Sequence, residues 1–167
     1  MISPSYCQQM AAYNQHLNQQ IIAVCHTLSQ VELDRDRGAF FGSIQATLNH
    51  LYFGDRIWLG RFQRQPYHAP NLGHELFTQF AEYCQARQDC DDQILSWAHD
   101  LTDDWLSQDL EYHSPLYQQT IIRPQWFLVT HLFNHQTHHR GQITTLLSQL
   151  GLDVGVTDLP WVVSPLR

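Results

Sequence analysis

The sequence predicts an all-α fold: a four-helix bundle with a small irregular or hairpin insertion before the last helix. Three observations predict it. Four stretches of roughly 25 residues place apolar side chains three and four apart, the helical period. Segments bearing Pro and Gly separate most of them. Ahead of the last stretch, one short segment is instead rich in β-branched and aromatic residues around Ser114-Pro115. The chain has 167 residues, the size of one ordinary domain, so a single bundle over 1–167 is expected.

Along the chain, the first helix is expected from Pro4 to Gln30, with Tyr6, Met10, Tyr13, Leu17, Ile21, Val24 and Leu28 on one face. The charged segment Glu32 to Gly38 ends it. The second runs from Ala39 to Arg64, with Phe41, Ile44, Leu48, Leu51, Tyr52, Leu59 and Phe62 together. Gln65 to Gly73, with Pro66 and Pro70, reads as an extended connector. The third helix runs from His74 to Leu101, and Thr102 to Trp105 forms a short capped turn. Leu110-Glu111-Tyr112 and Thr120-Ile121-Ile122 pair as a hairpin. Pro124 suits the first position of the fourth helix, and Gly151 stops it after Leu150. Leu152 to Arg167 packs as an irregular tail. Two connections are longer than the usual bundle loop, so the topology need not be up-down-up-down.

Composition excludes several classes. Hydrophobic residues make up 43%, which can bury a core and argues against disorder. There are nine arginines, no lysine and a net charge of −7, which argues against nucleic-acid partners. No apolar run is long enough to span a membrane. The N-terminal residues lack the basic-then-apolar pattern of a signal peptide. Cys7, Cys25, Cys84 and Cys90 show no C-x-x-C spacing and read as free thiols of a cytoplasmic protein. The odd feature is histidine, at 11 residues more numerous than all fixed cations.

The fourth helix carries His131, His135, His138 and His139. At 100° per residue His135 and His139 stand roughly 40° apart, in the middle of the stripe of Leu128, Leu132, Leu146 and Leu150. His131 and His138 flank it. Two imidazoles at i and i+4 can converge on one metal ion; a core histidine can equally be satisfied by a hydrogen bond, and the spacing leaves both open. The position after His135 is Gln136, not the Glu of a zinc peptidase, so that activity is disfavoured. His50, on the second helix, shares a smaller apolar face with Ala46, Phe53 and Ile57, and Gly54 one turn on leaves space beside it. Periodicity does not decide whether that face lines the interior.

Asn134 to Gln142 reads N-H-Q-T-H-H-R-G-Q, which resembles the terminal-helix signature of the DinB family. His50 followed by Asp55-Arg56-Ile57-Trp58 resembles its second-helix pattern, and Gly155 to Pro160 its tail. The resemblance implies an up-down-down-up bundle, usually a homodimer, with a metal on a histidine triad. Carried onto this chain, the metal ligands are His50, His135 and His139, with His138 a neighbour and His131 either a supporting group or an alternative ligand. The metal is then a divalent ion such as Ni, Zn, Fe or Mn. A fourth ligand is open, with His16, His26 and His99 unplaced. The family's name refers to induction by DNA damage, a stress response. Relatives include transferases and isomerases that use a low-molecular-weight thiol. The expected function is therefore a metal-dependent enzyme on a small-molecule substrate, its pocket adjoining the metal and lined by aromatic residues such as Phe53 and Trp58, with a core position the stronger expectation for Trp58. The alternative is a non-catalytic metal-binding homodimer. Asn134 and Gln142 are candidates to bond ligands or a bound water, and Arg140 is expected in a salt bridge at the helix end or dimer interface.

Overall fold

The structure is a computed structural model describing residues 1–69, 73–115 and 117–164. Pro70 of the connector and Arg167 of the tail lie outside the described residues. The elements run α1 (Pro4–Cys25), α2 (Gln30–Asp34), α3 (Ile44–Phe62), α4 (Phe80–His99), α5 (Asp103–Ser107), β1 (Asp109–Ser114), β2 (Gln119–Pro124), α6 (Gln125–Gln149) and α7 (Leu159–Val162). The four long helices are the four expected from the periodicity. Their starts and stops differ, and side-chain capping explains why.

The first expected helix is two. Ser29 accepts a hydrogen bond from the Glu32 N–H and starts α2 afresh, so the charged segment is partly helical. The second begins at Ile44, not Ala39, because Ser43 accepts from the Ala46 N–H. Phe41 therefore sits in a turn ahead of α3, not on its face. The third begins at Phe80 rather than His74. Asn49 of α3 donates to the carbonyls of His74 and Phe77 at 3.1 and 2.9 Å, which holds that stretch outside the helix. Thr102 caps α5, as expected of the turn there. Pro124 is the cap of α6 and the last residue of β2, one place before the helix proper.

At its far end α6 stops where expected. Gly151 adopts φ 74°, and the Leu152 and Gly151 N–H groups return to the carbonyls of Leu147 and Ser148, a paired closure that satisfies the last free carbonyls. The hairpin is antiparallel, Asp109 opposite Pro124 and Ser114 opposite Gln119, with Leu110 and Ser114 turned inward.

Contacts along the helices fix their directions. Gln15 and Asn18 of α1 meet Asp92 and Asp91 of α4, and His26 just past α1 reaches Cys84, so α1 and α4 are antiparallel. On α3, His50, Asp55 and Trp58 meet His139, Gln136 and His131 of α6, again antiparallel. Tyr6 and Asn14 of α1 meet Phe133 and Arg140 of α6, which makes that pair parallel. Asp55 and Phe62 of α3 meet Arg87 and Trp97 of α4, also parallel. The order around the bundle is thus α1, α4, α3, α6, with directions up, down, down, up.

The core is largely apolar, and its buried Asp and Arg side chains gather in one layer. Asp55, Arg87, Asp91, Asn14, Asn18, Gln136 and Arg140 are all at most 4% exposed. Arg87 Nη1 lies 2.6 Å from Asp55 Oδ2 and its Nη2 2.8 Å from Asp91 Oδ1. Asn18 donates to Asp91 at 2.9 Å, and Gln136 donates to Asp55. Arg140 donates to Asn14 at 2.6 Å and to Gln136 at 3.2 Å. Two cations and two carboxylates balance, and all four long helices contribute. Arg140 thus corrects the expectation of a salt bridge at the helix end: it is buried, with two amides as partners, and its guanidinium lies over the Tyr13 ring at 5.4 Å.

Candidate metal centre

His50 reaches the interior from α3, and His135 and His139 from α6, because the two helices run antiparallel with these positions level. One ligand nitrogen from each lies within 4.8 Å of the others. The Nε2 atoms of His50 and His135 are 3.2 Å apart. Ligands on a tetrahedral ion with bonds of about 2.0–2.1 Å stand about 3.3 Å apart, so small side-chain movements would bring all three into a coordination sphere.

Three surroundings shape the cluster. Gly54 lies under the His135 ring: a Cβ there would come 2.5 Å from His135 Cε1 and 2.9 Å from Nδ1. The ring occupies room that only glycine leaves, and its buried Nδ1 has no hydrogen-bond partner among the described residues. Gln142 Oε1 accepts from His139 Nδ1 at 2.7 Å. With the hydrogen on Nδ1, the Nε2 lone pair of His139 is the one free for a metal. Phe41 stacks on His50 at 4.0 Å between centroids and leans on His139 at 5.7 Å. The turn that presents it is tight, with Gly42 at φ 80° and its carbonyl accepting from Arg37 at 2.8 Å.

Burial is the first cause that holds the α6 imidazoles neutral. It pushes His135 down to about 3, helped by the neighbouring His139 and His50. It pushes His139 down as well, with the Gln142 bond pulling the other way. Two of the three donors are therefore deprotonated at pH 7, the form a metal takes. Among the described residues no carboxylate or thiolate joins the cluster.

The remaining histidines sort out by position. His138 is exposed, its ring 4.8 Å from His139. His131 lies edge-on to Trp58 at 5.0 Å and 5.9 Å from His135. His16, His26 and His99 do not join the triad; His26 packs on Phe80 at 5.1 Å. Phe53 and Trp58, together with Asn134, line a groove of about 730 Å³ that begins beside the cluster. Sequence reasoning missed Phe41 as a cover for the site. The signal was Gly42-Ser43, a turn residue followed by a helix cap, which detaches Phe41 from the helix.

Comparison with known proteins agrees with this architecture. The family model of the DinB family matches residues 1–165. Protein DinB of Bacillus subtilis (strain 168) is 26% identical, over 87% of this chain and 87% of that protein. Two solved structures share the fold. YfiT from Bacillus subtilis, described as a probable metal-dependent hydrolase with an unusual four-helix bundle topology, superposes with a TM-score of 0.65 at 16% identity, over 92% of each chain. A DinB-like protein from Bacillus cereus ATCC 10987 superposes with a TM-score of 0.62 at 17% identity, over 84% of this chain and 90% of that one. With the up-down-down-up bundle and a match from end to end, this chain belongs to the DinB family.

Proposed function

We propose that His50, His135 and His139 hold a divalent metal ion, and that the protein is a metal-dependent enzyme acting on a small molecule. The observation that carries this is the convergence of three imidazole nitrogens within 4.8 Å in the bundle interior. A bound ion at such a site keeps an open position and lowers the pKa of the water or thiol that shares it. The chain's own residues prepare the site. Gln142 fixes the His139 ring and tautomer, Gly54 gives His135 its place, and Phe41 covers His50.

The finer reading is a thiol-dependent transferase or isomerase, with the thiol supplied from outside. Burial supports it, because it keeps the chain's own thiols protonated: Cys7 and Cys25 are pushed up to about 12, Cys84 and Cys90 to about 11. Among the described residues no carboxylate stands at the cluster to serve as a general base. An external small thiol is the nucleophile that complements such a site.

Elemental analysis tests the metal. Protein purified without a nickel column should carry about one divalent ion per chain, and His135→Ala and His139→Ala should each lose it. Full metal content in both variants overturns the reading. A turnover screen of small thiols with an electrophile, run beside ester hydrolysis on loaded and stripped protein, separates transfer from hydrolysis.

Proton release gives an independent check. Three imidazoles of ordinary pKa near 6.5 would release about two protons on binding a metal at pH 6. With His135 held neutral and His139 shifted the same way, release should fall short of two protons, measured calorimetrically in buffers of different ionisation enthalpy.

A further inference from the structure

The groove beside the cluster has a chemistry of its own. Its walls are apolar and largely aromatic: Phe53, Ile57, Trp58, Tyr112, Ile121 and Phe127. Arg61 and Arg123 also line it, and among the described residues no Asp or Glu does. In a chain of net charge −7 that is a local reversal of sign.

Arg61 is the distinctive member. Its guanidinium carbon lies 4.5 Å over the Trp58 ring and 4.3 Å over the Tyr112 ring. Both contacts are with ring faces, so the flat cation is held by α3 on one side and the hairpin on the other. Among the described residues no carboxylate comes within ion-pair distance of it, whereas buried Arg87 has two. Burial of Arg61 disfavours its charge, with no described anion paired to it in return.

The position of Arg61 relative to the histidines is defined by contacts. It packs on Trp58, Trp58 meets His131 at 5.0 Å, and His131 lies 5.9 Å from His135. The groove thus has a cationic station along one wall, while Phe53, His131 and Asn134 form its border with the imidazole cluster. Its volume of about 730 Å³ is within the range of small-molecule sites.

We infer that this groove seats a small molecule with an aromatic or alkyl body and a carboxylate, and that Arg61 receives the carboxylate. The guanidinium edge offers a fork of N–H donors matched to the two oxygens of a carboxylate. Pinning by two rings means little freedom is lost when the anion arrives. This deepens the proposed function by naming its substrate class, and it rests on that reading only for which end of the molecule reacts.

The test uses full-length, metal-stripped protein and three probes with one ring system: 1-naphthoate, the uncharged 1-naphthamide and cationic 1-naphthylmethylamine. Tryptophan fluorescence reports binding, since Trp58 lines the groove. The carboxylate should bind at least about tenfold tighter than the amide, the amine weakest, as expected for a charge-assisted hydrogen bond. Arg61→Gln should cut that preference to about twofold or less, while Arg61→Lys, which keeps the charge but not the fork, should leave an intermediate preference. Equal binding of naphthoate and naphthamide overturns the inference. So does a preference that survives Arg61→Gln. Should Arg61→Gln unfold, the Arg61→Lys result decides: an unchanged preference overturns the fork. The metal reading fails separately: an anion preference in a protein that takes up no metal leaves the groove standing, and metal uptake without a preference does the reverse.

Discussion

Replacing Arg87 with Met should destabilise the protein by about 3–5 kcal/mol at pH 7, measured by urea unfolding. The guanidinium is fully buried between Asp55 and Asp91, and nothing apolar can stand in for it without leaving two carboxylates in the interior. The cost is the unpaired anions rather than the lost contacts, and that makes it recoverable. Adding Asp55→Asn to Arg87→Met should restore most of the loss, since one buried carboxylate, Asp91, is then left against the one remaining buried cation, Arg140. The pH dependence has a definite sign. Burial already pushes the Asp55 carboxyl up to about 6 despite the pull of Arg87. Without Arg87 it rises further, so the folded variant binds more protons than its unfolded chain. The deficit against wild type should therefore narrow as pH falls from 7 toward 4. A deficit that is constant with pH would mean that packing, not charge, is responsible.

Gly54→Ala should abolish metal binding while leaving the fold in place. The added Cβ would lie 2.5 Å from His135 Cε1, and the ring must swing away. The overpacking costs about 1–3 kcal/mol, offset by about 1 kcal/mol of helix propensity gained when Ala replaces Gly, so unfolding should shift by no more than about 2 kcal/mol. A displaced ligand should weaken the metal by at least about 100-fold, beyond what losing an outlying partner does. Gly141→Ala is the matched control: it lies on α6, nothing stands within 4 Å of its Cβ, and metal content should be unchanged. Calorimetric metal titration beside a thermal melt reads both quantities. Wild-type metal affinity in Gly54→Ala would show that the His135 ring does not act where it stands.

The sequence carried the parts of this protein that depend on one element at a time. The i, i+4 spacing of His135 and His139 sets their common direction on any helix, and Gly151 marks the end of α6 because the closing turn needs a positive φ. The hairpin was visible in its β-branched residues. What could not be read are pairings between elements. Arg140 looks like a surface arginine because its partners, Asn14 and Gln136, lie 126 and four residues away and neither is charged. Asp55 and Arg87 look like two solvated charges until α3 and α4 run side by side. His50 was in the same position: its second apolar face was legible, but only the antiparallel pairing of α3 with α6 turns that face to the interior. Helix starts were misplaced where a serine cap or an asparagine from another helix decides them, as at Ser29, Ser43 and Asn49.

The order of helices around the bundle has a consequence for synthesis. Of the four long helices α1 is made first, and it packs between α4 and α6, the last two of the four to appear. Asn14 waits for Arg140, and His50 for residues 135 and 139. A chain emerging from the ribosome can cover α1 and α3 with α4, but the faces of both that meet α6 stay uncovered until Gln125–Gln149 have been made. Closure of the core, and with it assembly of the imidazole cluster, is a late and concerted event, slower than in a bundle whose neighbours in sequence are neighbours in space.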